Sequence, residues 1–366
     1  MKICIVALNI VPYFHNQTGG RFGGAEVQAA VLARAFAAAG TDVELVVTDL
    51  EEGSTLPFPA HNAYFNRNGV PVFRFLHPRM TGLLDALERA NADVYFQHCA
   101  GAVSGLTSWF CKKNGRAFVY FAGSDSDFSW RDVVIGNPRD KLIYFWGLKN
   151  AAGIVAQNET QAQLCRDRLQ RHCRVIPTTV DPADGAGQDE DGSIVWIGGF
   201  RRVKKPERFL ELARRFPDRR FVMIGGKLPG DPALGDRIIS DSAGIPNLAV
   251  TGFIPSQDVF GYLSRASLLV NTSAWEGFPN AFLEAWARIT PVLSFVDVDG
   301  LIAGEGAGMI CSDLDDMTKR LRRLLDDDEE RRRLGHNARR LIETRYNSEV
   351  TARQHLDYFE HILNGR

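Results

Sequence analysis

Short apolar, β-branched runs alternate along this chain with longer segments in which apolar residues recur at helical spacing. Lys2–Leu8 predicts a buried strand, Ala25–Ala39 a helix that ends at Gly40, and Val43–Val47 the next strand. A strand, a helix and a second strand form a βαβ unit, which places both strands parallel in one sheet. The same alternation predicts further strands at Val70–Phe75, Asp93–Gln97, Ala117–Phe121, Gly153–Ala156 and Arg174–Ile176.

The pattern is interrupted once, at Asp181–Gly192 (DPADGAGQDEDG), where Gly, Asp and Pro replace the apolar periodicity. Such a composition is typical of a linker between domains. The alternation then restarts, with a helix at Pro206–Phe216 and a charged helical tail from Asp313. Strands are predicted at Ser193–Ile197, Arg220–Ile224, Leu248–Val250, Leu268–Asn271 and Val292–Phe295. The sequence therefore predicts an α/β fold of two doubly wound domains, whose strand ends face a cleft between them.

Composition narrows the classes of function. The chain has 366 residues, 45% of them hydrophobic, and its 43 basic and 44 acidic residues leave a net charge of −1. A nucleic-acid-binding protein needs a basic excess to displace counterions, so we expect no nucleic-acid partner. No apolar run is long enough to span a bilayer. The six cysteines show neither CxxC nor metal-ligand spacing, which favours a reducing cytoplasm.

Glycines cluster after the first predicted strand, in Gly19–Glu26 (GGRFGGAE). Glycine lets a backbone approach an anion closely, and the helix that follows offers unpaired N–H groups and the positive end of its dipole. The segment predicts a diphosphate site, although its spacing differs from the dinucleotide fingerprint GxGxxG. A surface turn would need the same glycines, so this alternative stays open.

Two segments in the second half of the chain also lie at the ends of predicted strands and carry groups that suit a ligand. Ile197–Pro206 (IGGFRRVKKP) carries glycines and then four cations, which suit phosphate, although a basic surface cluster is the alternative. Trp275–Trp286 (WEGFPNAFLEAW) places Glu276 at a loop end and Glu284 eight residues later on a helix. One carboxylate can accept from sugar hydroxyls and the other from a ribose diol, with backbone amides holding phosphate between them. Electrostatic capping of the helix is the other explanation for Glu276.

Together these segments resemble the GT-B glycosyltransferases of the large retaining family 4, whose members use nucleotide-sugar donors. The resemblance rests on GGAE at Gly23–Glu26, on the basic strand end, and above all on EGFPNAFLEAWARITPVLS, which begins at Glu276. It implies two Rossmann-like domains facing across a cleft, with residues 1–180 binding the acceptor and residues 181–346 the nucleotide sugar. It also implies that a C-terminal helix, about residues 347–366, crosses back to the first domain.

The resemblance assigns roles residue by residue. Glu276 would contact the sugar hydroxyls, Glu284 the ribose, and Lys204 the leaving diphosphate. His98 would lie near the reacting sugar and Asp125 on the acceptor side, and we take His98, Lys204 and Glu276 as the candidate catalytic residues. The other donor-binding candidates offer backbone atoms or a cation: Gly23, Gly24, Arg201, Gly252, Phe253, Ile254, Gly277, Phe278, Asn280 and Ala281.

The sequence departs from the family pattern at the basic strand end. The family's usual Gly-Arg reads Gly198-Gly199 here, so its phosphate-binding arginine is missing at that position. Arg201 or Arg202 can substitute, and we favour Arg201.

The resemblance implies retaining transfer of a hexose without a metal, and we expect a UDP- or GDP-linked donor, a polysaccharide, lipid-linked or other glycoconjugate acceptor, and no cofactor. Catalysis of this kind needs mainly fixed positive charge and oriented amides where the nucleoside diphosphate departs. Asp125-Ser126-Asp127 resembles a DxD metal motif, but Asp297 and Asp299 repeat the spacing, and we interpret both as chance. Two alternatives stay open: a nucleotide-sugar 2-epimerase of the same fold, and a catalytically silent GT-B scaffold.

The first domain carries a weak positive charge. Up to Pro177 the chain has 18 basic and 15 acidic residues, against 25 and 29 in the remainder. Aromatic residues are mixed with Lys and Arg in Trp109–Arg116 and Phe128–Trp146. These features predict a peripheral contact with an anionic membrane, on its inner face, where a lipid-linked acceptor is in reach. Packing in the core would explain the aromatic residues equally well.

Overall fold

The structure is a computed structural model that describes residues 1–15, 23–68, 73–182, 191–228 and 230–365. The described chain divides into two units. The first contains residues 1–15, 23–68, 73–179 and 348–365, and the second contains residues 180–182, 191–228 and 230–347. Each unit is built on one parallel sheet with helices packed on it, as the alternating pattern predicts.

Seven strands form the sheet of the first unit, in the order β3-β2-β1-β4-β5-β6-β7. They are β1 Lys2–Val6, β2 Asp42–Val47, β3 Ala60–Asn62, β4 Val94–His98, β5 Ala117–Phe121, β6 Gly153–Ala156 and β7 Arg174–Val175. All pairs are parallel, and β5 is buried along its whole length. Continuous burial is expected where helices cover both faces of a parallel sheet.

Six helices connect these strands: α1 Val11–Phe14, α2 Gly24–Ala38, α3 Thr81–Ala90, α4 Ala102–Lys113, α5 Pro138–Asn150 and α6 Glu159–Leu169. Shorter helical segments lie at Phe75–Met80 and Asp125–Phe128. Phe110 of α4 and Tyr144 of α5 belong to the core on one face of the sheet, and Phe36 of α2 to the core on the other.

The second unit has a six-stranded parallel sheet in the order β10-β9-β8-β11-β12-β13. Its strands are β8 Ser193–Ile197, β9 Phe221–Ile224, β10 Leu248–Gly252, β11 Ala266–Asn271, β12 Val292–Ser294 and β13 Gly308–Ile310. Its helices are α7 Pro206–Arg215, α8 Pro232–Ser242, α9 Ser256–Arg265, α10 Asn280–Trp286, α11 Leu301–Glu305, α12 Leu314–Asp326 and α13 Asp328–Leu341. Short helical segments at Arg202–Lys204 and Ile342–Tyr346 complete the unit.

The last helix, α14 Ser348–Asn364, belongs to the first unit. The ring of Phe359 lies 5.9 Å from that of Phe36 and 5.5 Å from that of Phe96, centroid to centroid. The predicted return of the C-terminal helix to the first domain is therefore confirmed.

The predicted strand Val70–Phe75 is wrong over the three residues that the structure describes. Residues 70–72 of Val70–Phe75 lie outside the described residues, and residues 73 and 74 form a turn before the helical segment Phe75–Met80. The third strand of the sheet is instead β3, whose three residues pair with Leu45–Val47 of β2. Such a short edge strand carries no apolar periodicity. Most of the predicted linker, residues 183–190, also lies outside the described residues.

Candidate active site

Lys204 and Glu276 lie at the point where the second sheet reverses its strand order. β8 and β11 are neighbours in the sheet, although two strands separate them along the chain. In a doubly wound sheet, loops leave such a pair in opposite directions and open a crevice at the carboxyl ends. Lys204 follows β8 and Glu276 follows β11. Their loops are joined by a hydrogen bond from the Ala274 amide to the Val203 carbonyl, at 2.8 Å.

The carboxylate of Glu276 is held by three donors on one oxygen. Its Oε1 accepts hydrogen bonds from Lys204 Nζ at 2.5 Å, Ser273 Oγ at 2.6 Å and Asn271 Nδ2 at 3.2 Å. The side chains of Lys204 and Glu276 retain 20% and 12% exposure, so water screens the pair only partly. Among the described residues nothing donates to Oε2. The carboxylate is thus fixed in orientation, with one oxygen left for a hydroxyl donor.

A buried tryptophan supports the loop that carries Lys204. Trp196 Nε1 donates to Thr272 Oγ1 at 3.0 Å, and this hydroxyl donates to the Lys204 carbonyl at 2.8 Å. Trp196 is 1% exposed and Thr272 is fully buried. The chain of bonds fixes the lysine backbone to the end of β11, independently of the ion pair.

Glycines at the ends of β8, β9 and β10 let three backbone segments meet. The amide of Gly225 donates to the Gly252 carbonyl at 2.9 Å. A Cβ on Gly225 would lie 1.9 Å from the Gly198 carbonyl oxygen, and its φ of +131° is accessible only to glycine. Phe253 lies beside this junction, its ring 3.3 Å from where a Cβ on Gly226 would be. The predicted Gly252–Ile254 segment is therefore placed next to the basic strand end.

The position of the missing arginine is occupied from another loop. A Cβ on Gly199 would meet Leu228 Cδ1 at 2.7 Å, so any side chain at residue 199 must displace that leucine. Arg202 pairs with Asp231 at 2.7 Å. Arg201 is exposed and forms no ion pair with the residues that the structure describes. Of the two substitutes considered, Arg201 is the one available to an anion.

Glu284 is a second carboxylate with an unused hydrogen-bonding capacity. It lies on α10, and burial raises its pKa, an effect that nearby Arg288 opposes. Arg288 Nη1 donates to the Glu284 backbone carbonyl at 2.9 Å, not to its carboxylate, and its guanidinium stacks 3.7 Å from the Phe260 ring centroid. Burial lowers the pKa of Arg288 to about 10. In the described part of the chain no group donates to the Glu284 carboxylate.

The remaining candidates of this segment surround the start of α10. Asn280 and Ala281 occupy its first turn, after Pro279. Gly277 and Phe278 precede it, and the Phe278 ring packs 5.3 Å from that of Tyr346.

In the first unit, the glycines of the predicted diphosphate loop are partly described. Gly19–Phe22 lie outside the described residues. Gly23 is the N-cap of α2, and its amide donates to Glu26 Oε2 at 2.8 Å, while Gly24 is the first helical residue and exposed. The Glu26 carboxylate thereby occupies part of the anion-binding capacity of this helix start.

His98 ends β4, which neighbours β1 at the reversal point of the first sheet. Its ring stacks on Phe121, with centroids 4.4 Å apart. Gln157 Nε2 lies 3.5 Å from His98 Nε2. Burial lowers the pKa of His98 to about 4, although backbone carbonyls oppose the shift. The imidazole is therefore neutral near pH 7 and can donate and accept a hydrogen bond.

The two aspartates of Asp125-Ser126-Asp127 have different surroundings. Asp127 is 4% exposed, and its Oδ2 accepts from Tyr120 Oη at 2.7 Å and from the Gly123 amide at 2.8 Å. Burial raises its pKa to about 6 despite these bonds. Asp125 begins the helical segment and is half-buried. Asp127 thus has a structural role, and within the described ranges no three His, Cys, Asp or Glu side chains are grouped to hold a metal ion.

The sequence did not single out Asn271 or Ser273, both of which hold Glu276. The sequence feature that marks them is the polar stretch Asn271-Thr272-Ser273, which follows the apolar residues of β11 at its carboxyl end. Gln157, beside His98, follows β6 in the same way. No helix in the described part of the chain is long and apolar enough to cross a bilayer.

Two domain families match this chain. Residues 22–184 match Glycosyltransferase Family 4, and residues 191–327 match Glycosyl transferases group 1. A Xenopus tropicalis protein described as Glycosyltransferase 1 domain-containing protein 1 is 29% identical over 163 residues, which are 43% of this chain and 46% of the relative. The chain spans less than half the length of the curated relatives that it matches.

Solved structures resemble the chain over its whole length. Sucrose-phosphate synthase from Thermosynechococcus elongatus has a TM-score of 0.79 at 18% identity, over 100% of both chains. HepE from Anabaena, solved in complex with UDP and glucose, has a TM-score of 0.76 at 14% identity, over 99% of this chain and 100% of its own. At these identities the likeness shows the fold, which is GT-B. The chain thus carries two glycosyltransferase domains in tandem on a GT-B fold, a Glycosyltransferase Family 4 domain followed by a Glycosyl transferases group 1 domain.

Proposed function

We propose that this chain is a retaining, metal-independent hexosyltransferase of the cytoplasm. It takes a sugar from a UDP- or GDP-linked donor and delivers it to a polysaccharide, lipid-linked or other glycoconjugate acceptor. The observation that carries the proposal is the Lys204–Glu276 cluster at the reversal point of the second sheet. The complex of HepE with UDP and glucose supports the choice of donor, because the two chains share their fold.

Transfer breaks the bond between sugar C1 and the diphosphate oxygen and forms a bond from C1 to the acceptor oxygen. The acceptor hydroxyl passes its proton to an oxygen of the departing diphosphate, on the face from which it attacks, so the anomeric configuration is retained. Negative charge develops on the diphosphate. A fixed cation at that position stabilises the transition state more than the ground state.

Lys204 supplies that cation. Its ammonium has three N–H donors, and the hydrogen bond to Glu276 leaves two of them for phosphate oxygens. Arg201 is a second cation on the same loop, without an ion-pair partner among the described residues. These two side chains take the role that a divalent metal would fill, which is why we propose metal independence.

The two glutamates contact different parts of the donor. Glu276 presents Oε2 to a sugar hydroxyl, while the half-buried carboxylate of Glu284 accepts hydrogen bonds from the ribose diol. Gly277, Phe278, Asn280 and Ala281 offer backbone amides to the phosphates, and Gly252–Ile254 offers backbone atoms to the base. On the acceptor side we place the neutral imidazole of His98, and Asp125.

Charge-neutral variants of the glutamates test this division of roles. Glu276→Gln should lower kcat/KM at least about 100-fold and keep nucleotide binding. Glu284→Gln should instead lose most of the thermal stabilisation by UDP or GDP, which for the wild type amounts to about 2.7 kcal/mol at 100 times Kd. Glu329→Gln, on the exposed face of α13, is the matched control. EDTA should change none of these results; a nucleotide shift that EDTA abolishes would refute metal independence.

The same assays separate the alternatives. One observation favours a catalytically silent scaffold: Leu228 occupies the space beside Gly199 where the family has an arginine. Such a scaffold would bind nucleotide without transferring sugar. An epimerase would convert its donor without an acceptor. Transfer by the wild-type chain that depends on both donor and acceptor excludes both.

A further inference from the structure

We propose that α4, α5 and the loop of residues 129–135 form a docking surface for an anionic membrane. We define the aromatic surface by five side chains of these elements: Trp109, Trp130, Leu142, Phe145 and Trp146. It belongs to the first unit and contains no residue of the Glu276 cluster. The proposal therefore stands or fails independently of the proposed chemistry.

The aromatic surface exposes large apolar side chains to solvent. Leu142 is 63% exposed, Trp130 46%, Trp109 43% and Trp146 40%. On α5, residues 142, 145 and 146 follow the i, i+3, i+4 spacing of one helix face, while Tyr144 and Leu148 are fully buried in the core. The helix thus has one buried apolar face and a second apolar face on which, among the described residues, Phe145 is half-buried and Leu142 and Trp146 are exposed.

A groove of about 620 Å³ runs along the part of the aromatic surface that excludes Trp109. The rings of Trp130 and Phe145 lie on it, 5.3 Å apart, and Leu142 and Trp146 complete its apolar lining. Three cations also line it: Arg131, Lys149 and Arg168. The groove can accommodate an acyl or headgroup fragment of a lipid that carries negative charge.

Further lysines stand over the exposed rings. Lys112 lies 5.8 Å from the centroid of Trp146, Lys113 5.4 Å from that of Trp109, and Lys141 6.0 Å from that of Trp130. Tryptophan beside lysine is the composition of a membrane–water interface, where the ring enters the headgroup layer and the ammonium contacts lipid phosphate.

The acidic side chains nearby are already engaged. Asp127 is buried against Tyr120, Asp132 accepts from Ser129 Oγ, and Asp140 pairs with Arg139. Six cations outnumber these carboxylates, so the surface presents a net positive charge around an apolar centre: Lys112, Lys113, Arg131, Lys141, Lys149 and Arg168. Protein–protein interfaces are depleted in lysine, whereas each lysine adds to binding on an anionic bilayer, so charge complementarity favours the membrane.

Co-sedimentation of the full chain with vesicles tests the proposal. We expect binding to vesicles of equal parts phosphatidylglycerol and phosphatidylcholine at low salt, and little binding to phosphatidylcholine alone. Leu142→Ser and Lys149→Glu should each lower partitioning at least about fivefold. Both positions are exposed, so the fold should persist. The matched controls are Ile239→Ser and Lys319→Glu, on α8 and α12 of the second unit, which should bind like the wild type.

Three outcomes would overturn the proposal: no binding to the anionic vesicles, an equal loss in the control variants, or self-association of the chain that Leu142→Ser abolishes. The last would assign the surface to a second copy. Nucleotide-induced stabilisation should be unchanged in Leu142→Ser, which separates a failure here from a failure of the proposed transfer.

Discussion

His355 is a buried polar residue whose replacement should stabilise the protein, increasingly so at acid pH. It lies on α14, fully buried among the rings of Phe36, Phe96 and Phe121, whose centroids are 5.9, 5.2 and 5.3 Å from its own. Neither ring nitrogen has a hydrogen-bond partner among the described residues. Burial lowers its pKa from 6.5 to about 3, and the neighbouring His98 contributes in the same direction.

The sign of the pH effect follows from proton uptake. Below pH 6.5 the unfolded chain binds a proton at residue 355, whereas the folded chain does not. The free energy of unfolding is therefore highest above pH 6.5 and falls as the pH decreases. The loss is about 1.4 kcal/mol per pH unit, or about 2 kcal/mol at pH 5. His355→Leu removes this term, and it also removes an unpaired buried polar group that costs about 1–3 kcal/mol at any pH.

Urea unfolding followed by circular dichroism at pH 7 and pH 5 measures both terms. We expect His355→Leu to be more stable than the wild type by about 1–3 kcal/mol at pH 7 and by about 3–5 kcal/mol at pH 5. His361→Leu, which replaces an exposed histidine of the same helix, is the matched control. A constant difference between the two pH values would refute the assigned protonation, and a variant less stable at pH 7 would refute the account of its burial.

Two further variants examine the site. Ser273→Ala removes one donor from Glu276 Oε1 and should lower kcat about 10- to 100-fold, with a smaller change in the KM for the donor. Its control, Ser264→Ala, loses only a hydrogen bond within α9 and should leave both steady-state constants unchanged. Gly225→Ala should cost at least about 3 kcal/mol, because its Cβ would overlap the Gly198 carbonyl; thermal unfolding would show this against Gly244→Ala, which has open space.

The sequence by itself determined most of the sheet. Runs such as Ala117–Phe121 and residues 194–197 are short, apolar throughout and rich in β-branched and aromatic residues, which is the pattern of a strand covered on both faces. The sequence also pointed to Glu276, Glu284 and Lys204 as candidate site residues, because such residue types bind hydroxyls and phosphates and all three lie in segments that follow predicted strands.

Only the tertiary structure decided how these residues meet. Lys204 and Glu276 are 72 positions apart, and they form an ion pair because β8 and β11 are neighbours in the sheet. Leu228, in the loop after β9, packs against Gly199 for the same reason, because β8 and β9 are neighbours in the sheet. The edge strand Ala60–Asn62 exists through pairing with β2, not through its own pattern. Local periodicity records which faces of an element are buried, whereas partners distant in the chain are selected by sheet order and packing, which no local pattern encodes.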